Sequence, residues 1–339
     1  MLWLDVHGVG VRVSGDRGVE EFFRAEYGFF ECGGRGEADL VVEGVDRVEG
    51  ACFYELVSMR EGRRFMRIPL GGVCGGGVRV LFERGLSPAF VVYMVEPVLA
   101  VLAAARGRAL IHACCVVKDD KCIVFPSWGG TGKTSIVLYF LSKGFGYMAD
   151  DWVFVGRDGC AYAYPRRIRI YSYNLRQFPW LRERLKDKAR LVRMGVGEFL
   201  AGRLPWRYAR IAVRKLTPYY PVHASELFPG ARVPRSKPIT HVFLMKKSGV
   251  KEPRLRDVSL DEVASCVSAC FMYERAYFFQ FYWKYMFHCG RRIELIEKLP
   301  CLIEDIVREA FRDKSVYLLE VPERYDIEKV YSLVTKAIE

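Results

Sequence analysis

Apolar and polar positions along this 339-residue chain switch repeatedly between a period of two and a period near 3.6, which predicts strands interleaved with helices. The opening MLWLDVHGVGVRV alternates as a strand and hairpin, residues 18–30 read as a helix, and ADLVVEGV as another strand. GGVCGGG at 71–77 reads as a turn between strands, without the Lys-Ser/Thr ending of a phosphate loop. A long apolar helix is expected from Ser87 to Ala105, with Ser87 before Pro88 as its cap. From Ala109 the pattern changes to packed strands, ALIHACCVV and KCIVFP, joined by a turn at Asp119-Asp120. After a Gly-rich turn, Ile136, Val137, Phe140 and Leu141 recur at helical spacing and Gly144 supplies the stop. YMADDWVFV, CAYAYP, HVFLMKK and SVYLLEV read as further strands.

Toward the C-terminus, Ser259 to about Phe287 reads as one helix opened by a capping box of Ser259 and Glu262. Residues Phe271 to Phe287 carry aromatics on nearly every face, which predicts burial in the core or against a second copy of the chain. Glu304–Lys314 and Tyr325–Ile338 are amphipathic helices. The expectation is an α/β protein with a mixed sheet flanked by helices. A smaller N-terminal α/β domain spans 1–106 and a larger domain 107–339. The larger domain has its core in 107–164 and 239–247, a segment 165–215 laid over it, and a helical part at 259–339.

Composition sharpens this in three places. The apolar run from Pro88 to Ala105 is interrupted by Glu96-Pro97, so it reads as a buried helix rather than a membrane span. No stretch looks like a signal peptide, and the eleven cysteines read as free thiols behaving as small hydrophobes, so a cytoplasmic location is expected. Cys266 and Cys270, with His288-Cys289 downstream, lack convincing zinc spacing. Residues 165–215 hold fifteen basic and three acidic side chains, the whole of the net charge of +12. Such a stripe is either solvated surface and phosphate-facing residues or a site for an acidic partner or nucleic acid.

The chemistry concentrates in KCIVFPSWGGTGKTSIVLYFLSKGFGYMADDWVFV. Its turn, Ser127-Trp128-Gly129-Gly130-Thr131-Gly132-Lys133-Thr134, is a Walker A loop except that Ser127 replaces the first glycine. Glycines let the backbone amides close on phosphate oxygens, and the amides join the N-terminus of the following helix as an anion site extending to Ser135. Lys133 would reach the β- and γ-phosphates, and the Thr134 hydroxyl would ligate Mg²⁺. Asp150-Asp151, just beyond the loop helix, suits a metal ligand and a general base, since two adjacent carboxylates push one pKa upward. His112, among Leu110, Ile111 and Ala113, has the pattern of a core histidine.

Residues 110–155 resemble the kinase core of the HPr kinase/phosphorylase family, in which a strand histidine precedes a Walker A loop and a paired aspartate follows the loop helix. His112 and Lys133 are 21 positions apart, Lys133 and Asp151 are 18 apart, and GFGYMADD is the most diagnostic part. The resemblance implies a P-loop-containing core of the HPr kinase and phosphoenolpyruvate carboxykinase type. It also implies in-line transfer of phosphate from ATP, with Mg²⁺, to a hydroxyl such as serine. It assigns Lys133 and Thr134 to phosphate and metal, Asp150 and Asp151 to metal and base without dividing those roles, and His112 to the neighbourhood of the transferred group. No glutamate occurs between Asp151 and Glu183, where the family has a further metal ligand. That departure weighs against HPr as the acceptor and against phosphorylase activity.

Arg166, Arg167 and Arg169 are candidates for holding acceptor or γ-phosphate charge, because a planar guanidinium matches phosphate geometry. An ATP-dependent kinase for a hydroxyl on a peptide, protein or small molecule is expected. The alternative is a nucleotide-dependent binding protein whose basic segment, with Phe178, Trp180, Trp206 and Tyr208 interleaved, engages an acidic partner or nucleic acid. A carboxykinase-like lyase ranks last.

Overall fold

A computed structural model describes residues 1–34, 36–48, 56–58, 64–69, 77–203 and 219–339. Most of the expected GGVCGGG turn, and Trp206, Arg207, Tyr208, Arg210, Arg214 and Lys215 of the basic segment, lie outside the described residues.

The chain is α/β, with mixed sheets flanked by helices. The first sheet is built from β1 (Leu2–Val6), β2 (Val9–Ser14), β3 (Leu40–Val45), β4 (Leu56–Ser58), β5 (Phe65–Arg67) and β6 (Val78–Glu83), in the order β1-β2-β3-β6-β5-β4. Strands β2, β3 and β6 run parallel. Helix α1 (Arg17–Tyr27) is capped by Asp16, which accepts from the amide of Val19 at 3.0 Å.

Helix α2 (Pro88–Ala105) leads into β7 (Arg108–Ile111), β8 (Ala113–Lys118) and β9 (Lys121–Pro126), and the loop then opens α3 (Lys133–Ser142). After α3 come β10 (Gly146–Ala149), β11 (Val153–Gly156), β12 (Cys160–Tyr162), β13 (Ile168–Ile170), β14 (Tyr220–Val222), β15 (Ser236–Pro238), β16 (His241–Lys247), β17 (Arg254–Asp257) and β18 (Ser315–Val321). A second six-stranded sheet runs β10-β8-β9-β16-β18-β17, with β9, β16 and β18 parallel. A four-stranded sheet runs β15-β12-β11-β7, and β13 pairs with β14 alone.

Two expected strands are each broken in two. ALIHACCVV divides at His112 into β7 and β8, and YMADDWVFV divides at 150–152 into β10 and β11. The halves belong to different sheets: β8 and β10 pair in the six-stranded sheet, β7 and β11 in the four-stranded one. Register aligns the breaks, because Cys115 faces Ala149 on one side and Ile111 faces Val153 on the other. Two neighbouring segments therefore leave one sheet for the other at the same level. A side chain at such a step is released from strict alternation, which is how His112 and the Asp150-Asp151 pair come together.

Cys114 and Cys115 point to opposite faces, as residues adjacent in a strand must, and they enter separate hydrophobic clusters. One cluster joins the first sheet, α2 and the four-stranded sheet continuously across residue 106. The other surrounds α3 and the loop side of the second sheet. No disulfide forms among the described residues.

The expected helix from Ser259 is also broken, into Leu260–Glu274 and Ala276–Cys289 with Arg275 at the joint. Half of the expected capping box is present: the Ser259 hydroxyl accepts from the Glu262 amide at 3.2 Å, while the Glu262 carboxylate pairs with Lys246 at 2.8 Å. Ser87, by contrast, makes no side-chain capping bond to α2. In the second of these helices Phe278, Phe279, Tyr282 and Tyr285 are buried, while Trp283 and Phe287 are exposed. Only one face of the aromatic helix is therefore covered within the chain.

Helix α2 is long and apolar enough to cross a membrane by length and composition, yet 67% of it is buried inside the protein. The one acid in it, Glu96, is fully enclosed. An ionised carboxylate there is untenable without partners, and it has several. Arg166 pairs with it through Nη1, Arg275 Nη2 lies 3.0 Å away, and Tyr27 donates a 2.7 Å hydrogen bond. Burial alone would raise the Glu96 carboxyl, but Arg166 and Arg275 overcome this and hold it at about 2. The carboxyl is thus lowered from its unfolded value of 4.5, so its stabilisation is present above 4.5 and is lost as pH falls toward 2. Urea titrations across that window will show the midpoint dropping for the wild type. Glu96→Ala, which leaves Arg275 without its carboxylate and Arg166 with Glu26 alone, will cost about 3–5 kcal/mol at pH 7 and flatten the acid limb.

Candidate active site

The Gly-rich loop leaves β9 and enters α3, the strand–turn–helix context expected of it. Gly130 and Gly132 have φ of 76° and 112°, in the region that disfavours side chains. A Cβ at Gly132 would also collide with the Tyr325 hydroxyl. That hydroxyl donates to the Thr131 carbonyl at 2.9 Å, and the Thr131 hydroxyl donates to the Trp128 carbonyl at 2.7 Å. The loop is therefore pinned from inside and from the C-terminal part of the chain. Trp128 is 47% exposed and packs on Tyr273, ring centroids 4.5 Å apart. Ser135, in the first turn of α3, donates to Gln177 Oε1 at 2.6 Å, tying the segment 172–177 to the loop helix.

Lys133 is buried and turns back over the loop. Its ammonium lies 3.3 Å from the Ser127 hydroxyl, 3.4 Å from the Ser127 carbonyl and 3.3 Å from the Trp128 carbonyl. It also lies 3.5 Å from His112 Nδ1, and that same nitrogen is 3.3 Å from Cys270 Sγ. An ammonium can only donate, so Nδ1 is the accepting nitrogen and the ring proton sits on Nε2. Nε2 faces Asp151 Oδ1 at 4.0 Å. Burial, then the nearby Lys133 charge, hold the His112 pKa down to about 3. The ring is neutral at physiological pH, and its approach to Asp151 is not an ion pair.

Thr134 donates to Asp150 Oδ2 at 3.1 Å, while Asp150 Oδ1 is buried with no hydrogen-bond partner. Burial, followed by the adjacent Asp151, pushes the Asp150 carboxyl up to about 8. Its neighbour differs in environment, since the Asp151 side chain is 41% exposed. A hydroxyl and an orphaned carboxylate oxygen at the mouth of an anion-binding loop are a fitting donor set for a hard divalent cation, which takes oxygen ligands. His112, Cys270 and Glu274 also bring donor atoms within 4.8 Å of one another. The Lys133 ammonium beside the same His112 nitrogen makes that trio a poor cation site.

The arginine candidates separate. Arg166 and Arg167 are both paired with Glu26, Arg166 at 3.2 Å and Arg167 at 2.6 Å, and Arg166 also meets Glu96. Their charge is largely committed to joining α1 and α2 to this part of the chain. Arg169 lies over the Tyr219 ring at 5.2 Å and has no carboxylate partner among the described residues. All three line a cavity of about 210 Å³ together with His112, Asp150 and Asp151. Arg275 lines it too, and sequence reasoning missed it. The available signal was a lone arginine inside an aromatic run. A second cavity of about 420 Å³, lined by Trp128, Met245, Val267 and other mostly apolar residues, flanks the other side of the loop. A third cavity, about 660 Å³ between Lys118, Arg184 and Arg232, contains none of the loop residues.

Comparison with family models finds no match, and no curated protein matches the chain.

The buried Asp150 carboxyl sets a pH test. Its folded value of about 8 lies above the ordinary 3.8, so the stability it contributes is present below pH 3.8 and is lost as pH rises through 8. Melting temperatures between pH 6 and 9, without divalent metal, will fall more steeply for the wild type than for Asp150→Asn.

Proposed function

We propose that this chain is an ATP- and Mg²⁺-dependent kinase that phosphorylates a hydroxyl group. The observation that carries this is the hydrogen bond from Thr134, last residue of the Gly-rich loop, to the buried Asp150, whose second oxygen has no partner. A loop of backbone amides at a helix N-terminus binds phosphate oxygens. A threonine and an aspartate joined beside it are the pair that holds the metal in phosphoryl-transfer sites. Bound there, Mg²⁺ supplies neutralisation of the charge that develops on the transferred phosphoryl group.

The remaining side chains divide the work by environment. Lys133 is held only by long contacts to loop carbonyls, the Ser127 hydroxyl and His112, contacts that phosphate oxygens can replace. Asp150, enclosed and bonded to Thr134, serves the metal. Asp151, exposed toward the 210 Å³ cavity, is placed to take the proton from the acceptor hydroxyl. Neutral His112, its Nε2 4.0 Å from Asp151 Oδ1, lies beside that carboxylate without competing for the proton. This division is the one implied by the phosphoenolpyruvate carboxykinase-like kinase core that the sequence resembles, and we place the activity in the cytoplasm, where ATP is at hand. The Phe287 face of the aromatic helix is the surface we assign to any pairing of copies.

An alternative binding role for the basic segment has less support. Arg166 and Arg167 face Glu26, and Arg184 and Arg190 donate to the carbonyls of Leu227 and Tyr219. These arginines tie the segment inward rather than presenting charge to a partner.

The test is transfer of label from γ-labelled ATP with Mg²⁺ to a panel of alcohols, sugars, serine compounds and peptides. Wild type will label an acceptor. Asp151→Asn will lose about 10²–10⁴-fold of the rate, and Lys133→Ala will lose nucleotide affinity as well. A chain that fails to bind nucleotide contradicts the proposal.

A further inference from the structure

Resting on that kinase activity, we propose that the acceptor is a small alcohol bearing a carboxylate or phosphate, its anionic group held by Arg275 and Arg169. The cavity beside Asp151 encloses about 210 Å³, below the roughly 300–1,000 Å³ of sites for drug-sized ligands. It suits a compact metabolite better than a segment of folded protein.

Arginines gather in the lining of this cavity. Arg166, Arg167, Arg169 and Arg275 line the cavity, while Glu26 and Glu96 are the two carboxylates paired with them. The remaining lining acids are Glu274 and the aspartates of the site itself. Arg275 is 96% enclosed, since only 4% of its side chain is exposed. It stacks over the Trp152 ring at 4.2 Å, and its Nε is buried with no hydrogen-bond partner. A buried guanidinium with an unmet donor costs stability unless something fills the gap. Arg275 also lines the cavity, where an anion would accept from the guanidinium edge. Arg169, free of a carboxylate partner among the described residues, adds a second cation on the same wall.

A hydroxyl compound anchored there is set between the arginines and Asp151. Its oxygen bonds to the γ-phosphorus as the bond from that phosphorus to the bridging oxygen of ADP breaks, and its proton passes to Asp151. The products are ADP and a phosphate monoester that keeps its original anionic group. A neutral alcohol would leave the Arg275 donor unmet, so the same wall selects against it.

Calorimetric titration of the full chain, first saturated with Mg²⁺ and a non-hydrolysable ATP analogue, tests this. Inorganic phosphate and malonate serve as probes of the two anion chemistries, with glycerol as the neutral control. One equivalent of an anion will bind and glycerol will not, and the tighter probe distinguishes a phosphorylated from a carboxylated acceptor. Arg275→Gln and Arg169→Gln will each weaken the anion tenfold or more. Arg169→Gln orphans no carboxylate, so it keeps the test decisive if the Arg275 variant fails to fold. Anion binding absent from the nucleotide-loaded protein, or unchanged in Arg169→Gln and in a folded Arg275→Gln, overturns the acceptor assignment alone. Failure of the nucleotide itself to bind overturns the kinase activity and this inference with it.

Discussion

Everything at the site depends on two adjacent segments changing sheets at the same level. Within a ladder, side chains alternate between faces and backbone groups are satisfied by neighbours. At His112 and at Asp150-Asp151 both regularities lapse together, and the structure must satisfy the freed groups by other means. The His112 carbonyl accepts from the Ser127 amide at 3.1 Å, so the first residue of the loop is fixed to the histidine's own backbone. The loop, the histidine and the aspartates are thus consequences of one topological step.

The second constraint is buried charge. Glu96 sits in an otherwise apolar helix and is tenable only because Arg166 and Arg275 come to it from elements far away in sequence. Those two arginines tie α2 to the segment between β12 and β13 and to the joint between the C-terminal helices. The same network that staples the N-terminal sheet to the rest therefore also builds one wall of the cavity at the candidate site. Stability and recognition share residues here, and substitutions in the network will be felt in both.

Much of this was legible in the sequence. The Gly-rich loop, its strand and helix, the turn at Asp119 (φ 51°) and the stop at Gly144 follow from local chemistry: glycines where φ must be positive, apolar residues at the right period. Thr134 and Asp150 were legible as a pair because motif spacing fixes which helix and strand must meet. The sheet crossings were not: His112 and Asp150-Asp151 interrupt the apolar runs at the breaks, but apolar residues resume beyond each and nothing local names the new partner strand. Arg275 was hidden for a related reason. A helical period runs unbroken through it, and only the tertiary pull of Glu96 and Trp152 accounts for its place at the joint. Glu96 itself was visible as an oddity in an apolar helix, and an oddity of that kind asks for a partner that only the fold can name.

The most direct measurement is a crystal structure of the protein with Mg²⁺ and a non-hydrolysable ATP analogue. The account predicts phosphates on the amides of residues 129–134, the Lys133 ammonium moved from the Ser127 and Trp128 carbonyls onto phosphate oxygens, and a metal contacted by Thr134 and Asp150. Nucleotide bound away from the loop, or a metal held without Asp150, would contradict it.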